Sequence, residues 1–118
     1  MKSAFLALAL ALCLGVRTFG DEPSHIKFGG GDGSSQEKAI IITGAKDDYE
    51  STHSEYVYVA DHFPKSQRPN KQWLLHGDKR YFDKLEFVAA DGSTHFIFFD
   101  ITESFEALAK EFDKKPSK

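Results

Sequence analysis

Sulfur is almost missing from this chain. Cys13 is its one cysteine, so no disulfide can form within it, and core packing alone must hold the fold. An excess of basic charge is missing too. Fifteen Lys and Arg stand against 18 Asp and Glu, with no basic stripe, which excludes a nucleic-acid footprint. No G-x-S-x-G elbow, no H-E-x-x-H pair and no Gly-Lys-Ser/Thr opening a helix is present. These absences argue against an esterase-type nucleophile, a zincin-type metal site and a P-loop. Long apolar runs are lacking except at the start, where Ala4–Leu14 is AFLALALALCL.

That run, preceded by Lys2 and followed by the small residues Thr18 and Gly20, has the length and flanks of a signal peptide. It is short for a bilayer span. The expectation is an exported protein, periplasmic or secreted, cut after Gly20 and with no stable transmembrane span after processing. Lipid attachment through Cys13 is a minor alternative, weakened by the large Leu12 before it. About 98 residues would remain, enough for one modest core. Of the 15 basic residues Lys2 and Arg17 precede the cut, which leaves 13 against 18 acidic ones. Eleven Phe and four Tyr in the whole chain supply the aromatic area that such a core needs.

After the cut, residues 21–38 read as a flexible, Gly-rich leader, with Gly29, Gly30, Gly31 and Gly33 making regular structure costly. Residues 39–112 read as a single α+β domain, and residues 113–118 as a disordered tail. Ala39–Thr43 carries three consecutive isoleucines and predicts a short strand. Asp47–Phe63 predicts a helix. Asp47 can cap it, Glu50 sits at capping-box spacing, and Pro64 stops it. Its apolar stripe is read as Tyr49, His53, Tyr56, Ala60 and Phe63, with His53 partly buried. A strand over Tyr56–Val59 is the rival reading on residue type.

Lys65–Lys71 is a basic loop. Gln72–His76 predicts a strand, closed onto the next by a type II′ turn at Gly77-Asp78. Arg80–Ile101 predicts a long hairpin turning at Asp91-Gly92. A two-residue turn pairs Leu85 with Phe98 and Phe87 with Phe96 on one core face. Lys84, Glu86, Ile97 and Phe99 then lie on a mixed second face. A bulge at Gly92 would shift every pair by one residue. The second face is apolar enough to need partial cover by a helix, the N-terminal segment, a partner or a ligand. Thr102 opens a last short helix with Phe105, Leu108 and Phe112 on one side. The expected order is short strand, helix, three-strand antiparallel meander and short C-terminal helix. A helix packed on a sheet in this order includes a cystatin-like roll.

GDGSS-x-E-x-A-I-x-I, the Tyr-rich helix and YFDKLEF-x-x-x-DG-x-x-x-x-x-FFDIT together resemble small exported bacterial proteins of unknown function. The resemblance covers most of the mature chain and brings no assigned activity. It implies the same strand, helix and meander order.

Candidate chemistry is sparse. In the two-residue register Asp83 and Asp100 oppose each other, and paired carboxylates could share a proton or perform acid–base work, with His95 nearby. They are the catalytic candidates of a small hydrolase or lyase. The first expectation, however, is a non-catalytic binding or interaction module without cofactor or metal. It would hold a protein, peptide or envelope component through Ile97, Phe99 and Lys84 on the mixed face and Arg68 in the basic loop. A homodimer through that outer face of the meander is a further alternative.

Overall fold

A computed structural model describes residues 25–114. The expected signal peptide and residues 115–118 lie outside the described residues. The elements in order are β1 (Lys27–Gly30), β2 (Ile40–Thr43), α1 (Asp48–His62), β3 (Lys71–Gly77), β4 (Arg80–Val88), β5 (Thr94–Asp100) and α2 (Thr102–Lys114). They form one five-stranded sheet, ordered β1-β2-β5-β4-β3, with both helices against one face. The fold is α+β, with the strand, helix, meander and helix in the expected order.

The central hairpin does not close with the two-residue turn. Gly92 sits in the left-handed region at φ 88°. Its N–H donates to the Ala89 carbonyl at 2.9 Å, and the Ala89 N–H donates to the Ser93 carbonyl at 2.8 Å. Asp91 accepts from the Ser93 N–H and hydroxyl, which holds the bulge. One extra residue on the β5 side moves every partner, so Leu85 faces Ile97 and Phe87 faces His95. Side chains alternate, and that single step puts Leu85 and Phe87 on the core face but Phe96 and Phe98 on the other. The expected core quartet is therefore split. Ile97 and Phe99, read as an outer binding surface, are fully buried core residues beside Ile40, Ile42 and Val59.

β3 runs antiparallel to β4. Their connection is Asp78-Lys79, one residue later than expected, between the paired Gly77 and Arg80. Lys79 takes the left-handed conformation there at φ 60°. β2 joins β5 in parallel, Ile40 beside Phe99, so the sheet is mixed and departs from an all-antiparallel roll.

The Gly-rich stretch is structured in part. β1 pairs antiparallel with β2, and its Phe28 ring packs on Tyr58 at 5.0 Å. Beyond β1 the chain approaches the sheet so closely that only glycine fits. Gly33 is buried, and a Cβ there would meet Ile40 and Ile97 at 2.8 Å. The Gly33 carbonyl accepts from the Phe98 N–H at 2.9 Å, so this segment borders β5. From there Gln36 reaches Gly77 on the sheet face away from the helices, the face that also carries Phe82.

α1 starts as its sequence predicts. Asp47 caps it by accepting from the Glu50 N–H at 2.8 Å. The Glu50 carboxylate accepts from the Lys46 N–H at 2.8 Å and from His25 Nε2 at 2.9 Å. The helical phase differs from the expected stripe. Ser51, Ser54, Glu55 and Val59 are buried, while Tyr49 is 79 % exposed and His53 and Ala60 face solvent. Aromatic docking sets this phase: Tyr58 meets Phe99 edge-on at 5.5 Å, and Phe63, just beyond the helix, packs on Phe87 at 5.0 Å. In this phase Tyr58 and Val59 pack on the sheet in place of Tyr49 and His53, and Phe63 keeps its place on the packed side.

α2 is anchored at its start by Asp100. That carboxylate accepts from the Thr102 N–H at 2.9 Å and its hydroxyl at 2.6 Å, and it pairs with Arg80. Thr102 Oγ1 in turn accepts from the Tyr81 N–H at 3.0 Å. Phe105 packs on Tyr81 at 4.2 Å. The helix runs through Lys114, so Asp113 and Lys114, read as the beginning of a disordered tail, are helical.

Gly92→Ala tests the bulge directly. A Cβ there meets nothing within 4 Å, so any cost is conformational. Urea denaturation should show a loss of about 1–2 kcal/mol, the usual penalty for a left-handed non-glycine residue. An unchanged midpoint would show that Gly92 does not hold this conformation.

Candidate functional site

The two catalytic carboxylates do not meet. Asp83 opposes Phe99 on the core face, and Asp100 opposes Phe82 on the outer face. The correction follows from the same one-residue offset. Asp100 is fully occupied by Arg80 and Thr102, a structural role that leaves it no free oxygen to offer a substrate. His95 lies on the Asp83 face but opposite Phe87, four residues along the strand. At ~3.3 Å per residue that separation is about 13 Å, far beyond hydrogen-bond reach. The His95 ring packs on Phe87 at 5.7 Å and Phe63 at 6.0 Å and shares a hydrogen bond with Ser93. No acid–base set forms from Asp83, Asp100 and His95.

Asp83 has another partner, which periodicity on the expected stripe could not reveal. Glu55 of α1 is wholly buried and Asp83 is 4 % exposed. As a carboxylate Glu55 would have no hydrogen-bond partner for either oxygen. With a proton it donates to Asp83. Burial pushes the Glu55 carboxyl well above its ordinary range, and the shared bond with Asp83 and the charges of Asp83 and Asp48 push the same way. Asp48, two turns earlier on the same helical face, is also raised, by burial first and then by Asp83 and Asp47. The buried Ser51 hydroxyl beside them has no partner. The group is closed to substrate, and among the described residues no three His, Cys, Asp or Glu side chains form a ligand set for a metal. Its consequence is for stability. The spacing Asp48, Ser51, Glu55 was the available signal, since it is one helical face.

The open chemistry lies on the other side of the sheet. Trp73, Lys84 and Phe98 occupy one row across β3, β4 and β5, and Glu86 and Phe96 occupy the adjacent row. The Lys84 ammonium stands 4.5 Å from the Phe96 centroid, 5.2 Å from Trp73 and 5.6 Å from Phe98. Trp73 is 39 % exposed and Phe96 46 %. Phe82 and Asp100, further along the same face, are buried, whereas Trp73 and Phe96 are not. Lys84 is thus the one expected binding residue on an open aromatic surface. Arg68 is elsewhere, stacked over Tyr56 of α1 at 4.8 Å, and the Tyr56 hydroxyl reaches Gln72 Oε1 at 3.3 Å. Sequence reasoning missed the exposed Phe96 and the half-buried Phe98 as outer-face residues. The bulged register, applied from Gly92, places them there at once.

Glu55 makes stability pH-dependent. The unfolded carboxyl releases its proton near the ordinary value of 4.5, while the folded one retains it to higher pH. Above that value the folded state binds more protons, so stability falls as pH rises until folded Glu55 ionises too. Glu55→Gln keeps the donor and removes the titration. The variant should match the parent below about pH 4 and be the more stable of the two at pH 7, read from urea midpoints across that range. Equal midpoints at pH 7 would place Glu55 in water rather than against Asp83.

Comparison with known proteins finds no matching family model, no matching curated protein and no matching solved structure.

Proposed function

We propose that this chain is a small exported binding module without a catalytic role, which presents the outer face of β3, β4 and β5 to its ligand. One observation carries the reading: a lysine ammonium held among three aromatic rings, two of them exposed, on a sheet face that no helix covers among the described residues. Side chains of this kind concentrate binding energy, because large rings bury area with few rotors to freeze. The ammonium adds a charged group that is already desolvated in part by the rings. It favours a partner with acidic or carbonyl groups beside an apolar surface, such as a protein, a peptide or an envelope component. The start of the chain, with its signal-peptide pattern, supports an extracytoplasmic setting, and the likeness to small exported bacterial proteins agrees with it.

A hydrolase or lyase reading has less support. It needs converging carboxylates, and Asp83 and Asp100 lie on opposite faces. No helix among the described residues is long and apolar enough to cross a membrane.

Trp73 is the only tryptophan in the chain, so it reports on the face directly. Titration with acidic and neutral peptides and with soluble envelope glycans should change its emission for the ligand class that binds. Lys84→Ala and Phe96→Ala should each weaken that binding about 10-fold or more while leaving the thermal transition in place. A face that binds none of these classes, with emission unchanged throughout, overturns the reading.

A further inference from the structure

The two edges of the sheet are unequal. β1 is four residues long, ends in two glycines and carries Lys27 at its start. That is a blunted edge, poor at recruiting another strand. β3 is seven residues long and bears Trp73-Leu74-Leu75 at its middle, with no proline and no bulge. Leu74 is 54 % exposed and Trp73 39 %, one on each face of the same edge strand. Among the described residues the loop hydrogen bonds from Gln67 and Asn70 go to β4, and no loop backbone bonds to Lys71–Gly77.

The free backbone groups can be assigned. Gly77 and Arg80 flank a two-residue connection, so they exchange both backbone bonds, and every second pair along the ladder does the same. Leu75 and Trp73 therefore bond toward β4. Gln72, Leu74 and His76 point their N–H and C=O groups outward, without a backbone partner among the described residues.

We infer that β3 is a self-pairing edge: two copies of this chain join antiparallel at β3 about a two-fold axis through Leu74, extending the sheet across the dimer. In this register Leu74 pairs with Leu74 of the second copy. Gln72 pairs with the second copy's His76, and both kinds of pair exchange outward-facing bonds. Trp73 stands opposite the second copy's Leu75 on the outer face. Lys71 faces Gly77 of the second copy at each end of the paired stretch. A shift by two residues in either direction loses the fit. One direction opposes Leu75 to Lys71 and Leu74 to Gln72; the other sets Trp73 against Gly77. The chosen register alone buries all three apolar side chains and pairs each outward-pointing residue.

The dimer would also bring the two aromatic faces together. Trp73 lies on the row of Lys84, so each copy's cluster ends at the shared axis and the partner's Leu75 extends it. The inference does not depend on the proposed ligand-binding role, because backbone pairing at β3 needs nothing bound to the outer face.

The test is light scattering and sedimentation of the mature chain over a concentration series, joined to cysteine cross-linking. The parent should form a dimer. Leu74→Lys, which would place two ammonium groups against each other at the axis, should raise the dimer dissociation constant more than about 100-fold with the circular dichroism spectrum retained. Paired residues of the bonded type lie about 5.5 Å apart between Cα atoms, within disulfide range. Leu74→Cys should therefore cross-link to itself under mild oxidation, and His76→Cys, displaced about 13 Å from its own copy, should not. A monomer at every concentration overturns the proposal, including one that binds an extended peptide at β3 instead. A dimer whose cross-linking at residue 74 is no faster than at residue 76 also overturns it. The cross-linking arm holds even if the lysine variant fails to fold.

Discussion

The left-handed backbone at Gly92 is the constraint on which the surfaces of this protein depend. It inserts one residue into the β4–β5 connection, and a strand has only two faces. The step therefore exchanges the entire side-chain set of β5 relative to β4. Ile97 and Phe99 join Leu85 and Phe87 beneath the helices, and Phe96 and Phe98 are turned out to accompany Lys84 and Trp73. The same step separates Asp83 from Asp100. Asp91 reinforces it by gripping Ser93 from both backbone and hydroxyl. No single contact elsewhere in the sheet has as wide an effect.

Two acidic side chains show how differently a buried charge can be accommodated. Asp100 is given a guanidinium, a backbone N–H and a hydroxyl, so its desolvation is offset, and it also ties the start of α2 to β4. Glu55 receives none of these. It can be buried only as a neutral acid leaning on Asp83, and the unpartnered Ser51 beside it adds to the cost. The aromatic contacts of Tyr58 and Phe63 with the sheet draw α1 into this phase and outweigh the penalty. Marginally stable proteins commonly carry such a conflict where several large rings compete with one polar group. A helix rotated to bury Tyr49 and His53 would free Glu55 but lose the edge-on contact of Tyr58 with Phe99.

The sheet is finished unevenly. On its outer face Phe82 and Asp100 are buried, Gln36 reaches Gly77, and Lys84 is only half-buried. At its β3 edge Trp73 and Leu74 remain in solvent on both sides. The features open to other molecules are thus a cation set in rings and an unblunted strand, adjacent to each other. Helix-on-sheet architecture supports many activities, so these local surfaces carry the functional reading rather than the fold class.

Much of the local structure can be read along the chain, because its causes act within a few residues. Asp47, Glu50 and Pro64 mark the ends of α1, the isoleucine run marks β2, Asp91-Gly92 marks the hairpin, and the 102–112 periodicity marks α2. Those signals set the element types and their order. The register of the hairpin, the rotation of α1, the strand at Lys27–Gly30 and the parallel seat of β2 come from elsewhere. Each is a choice between arrangements with nearly equal local preferences. One face of β5 offers Ile97 and Phe99 and the other Phe96 and Phe98, and either would make a core. Only the summed packing of residues distant in sequence, with the bulge at Gly92, separates the alternatives by enough free energy to choose one.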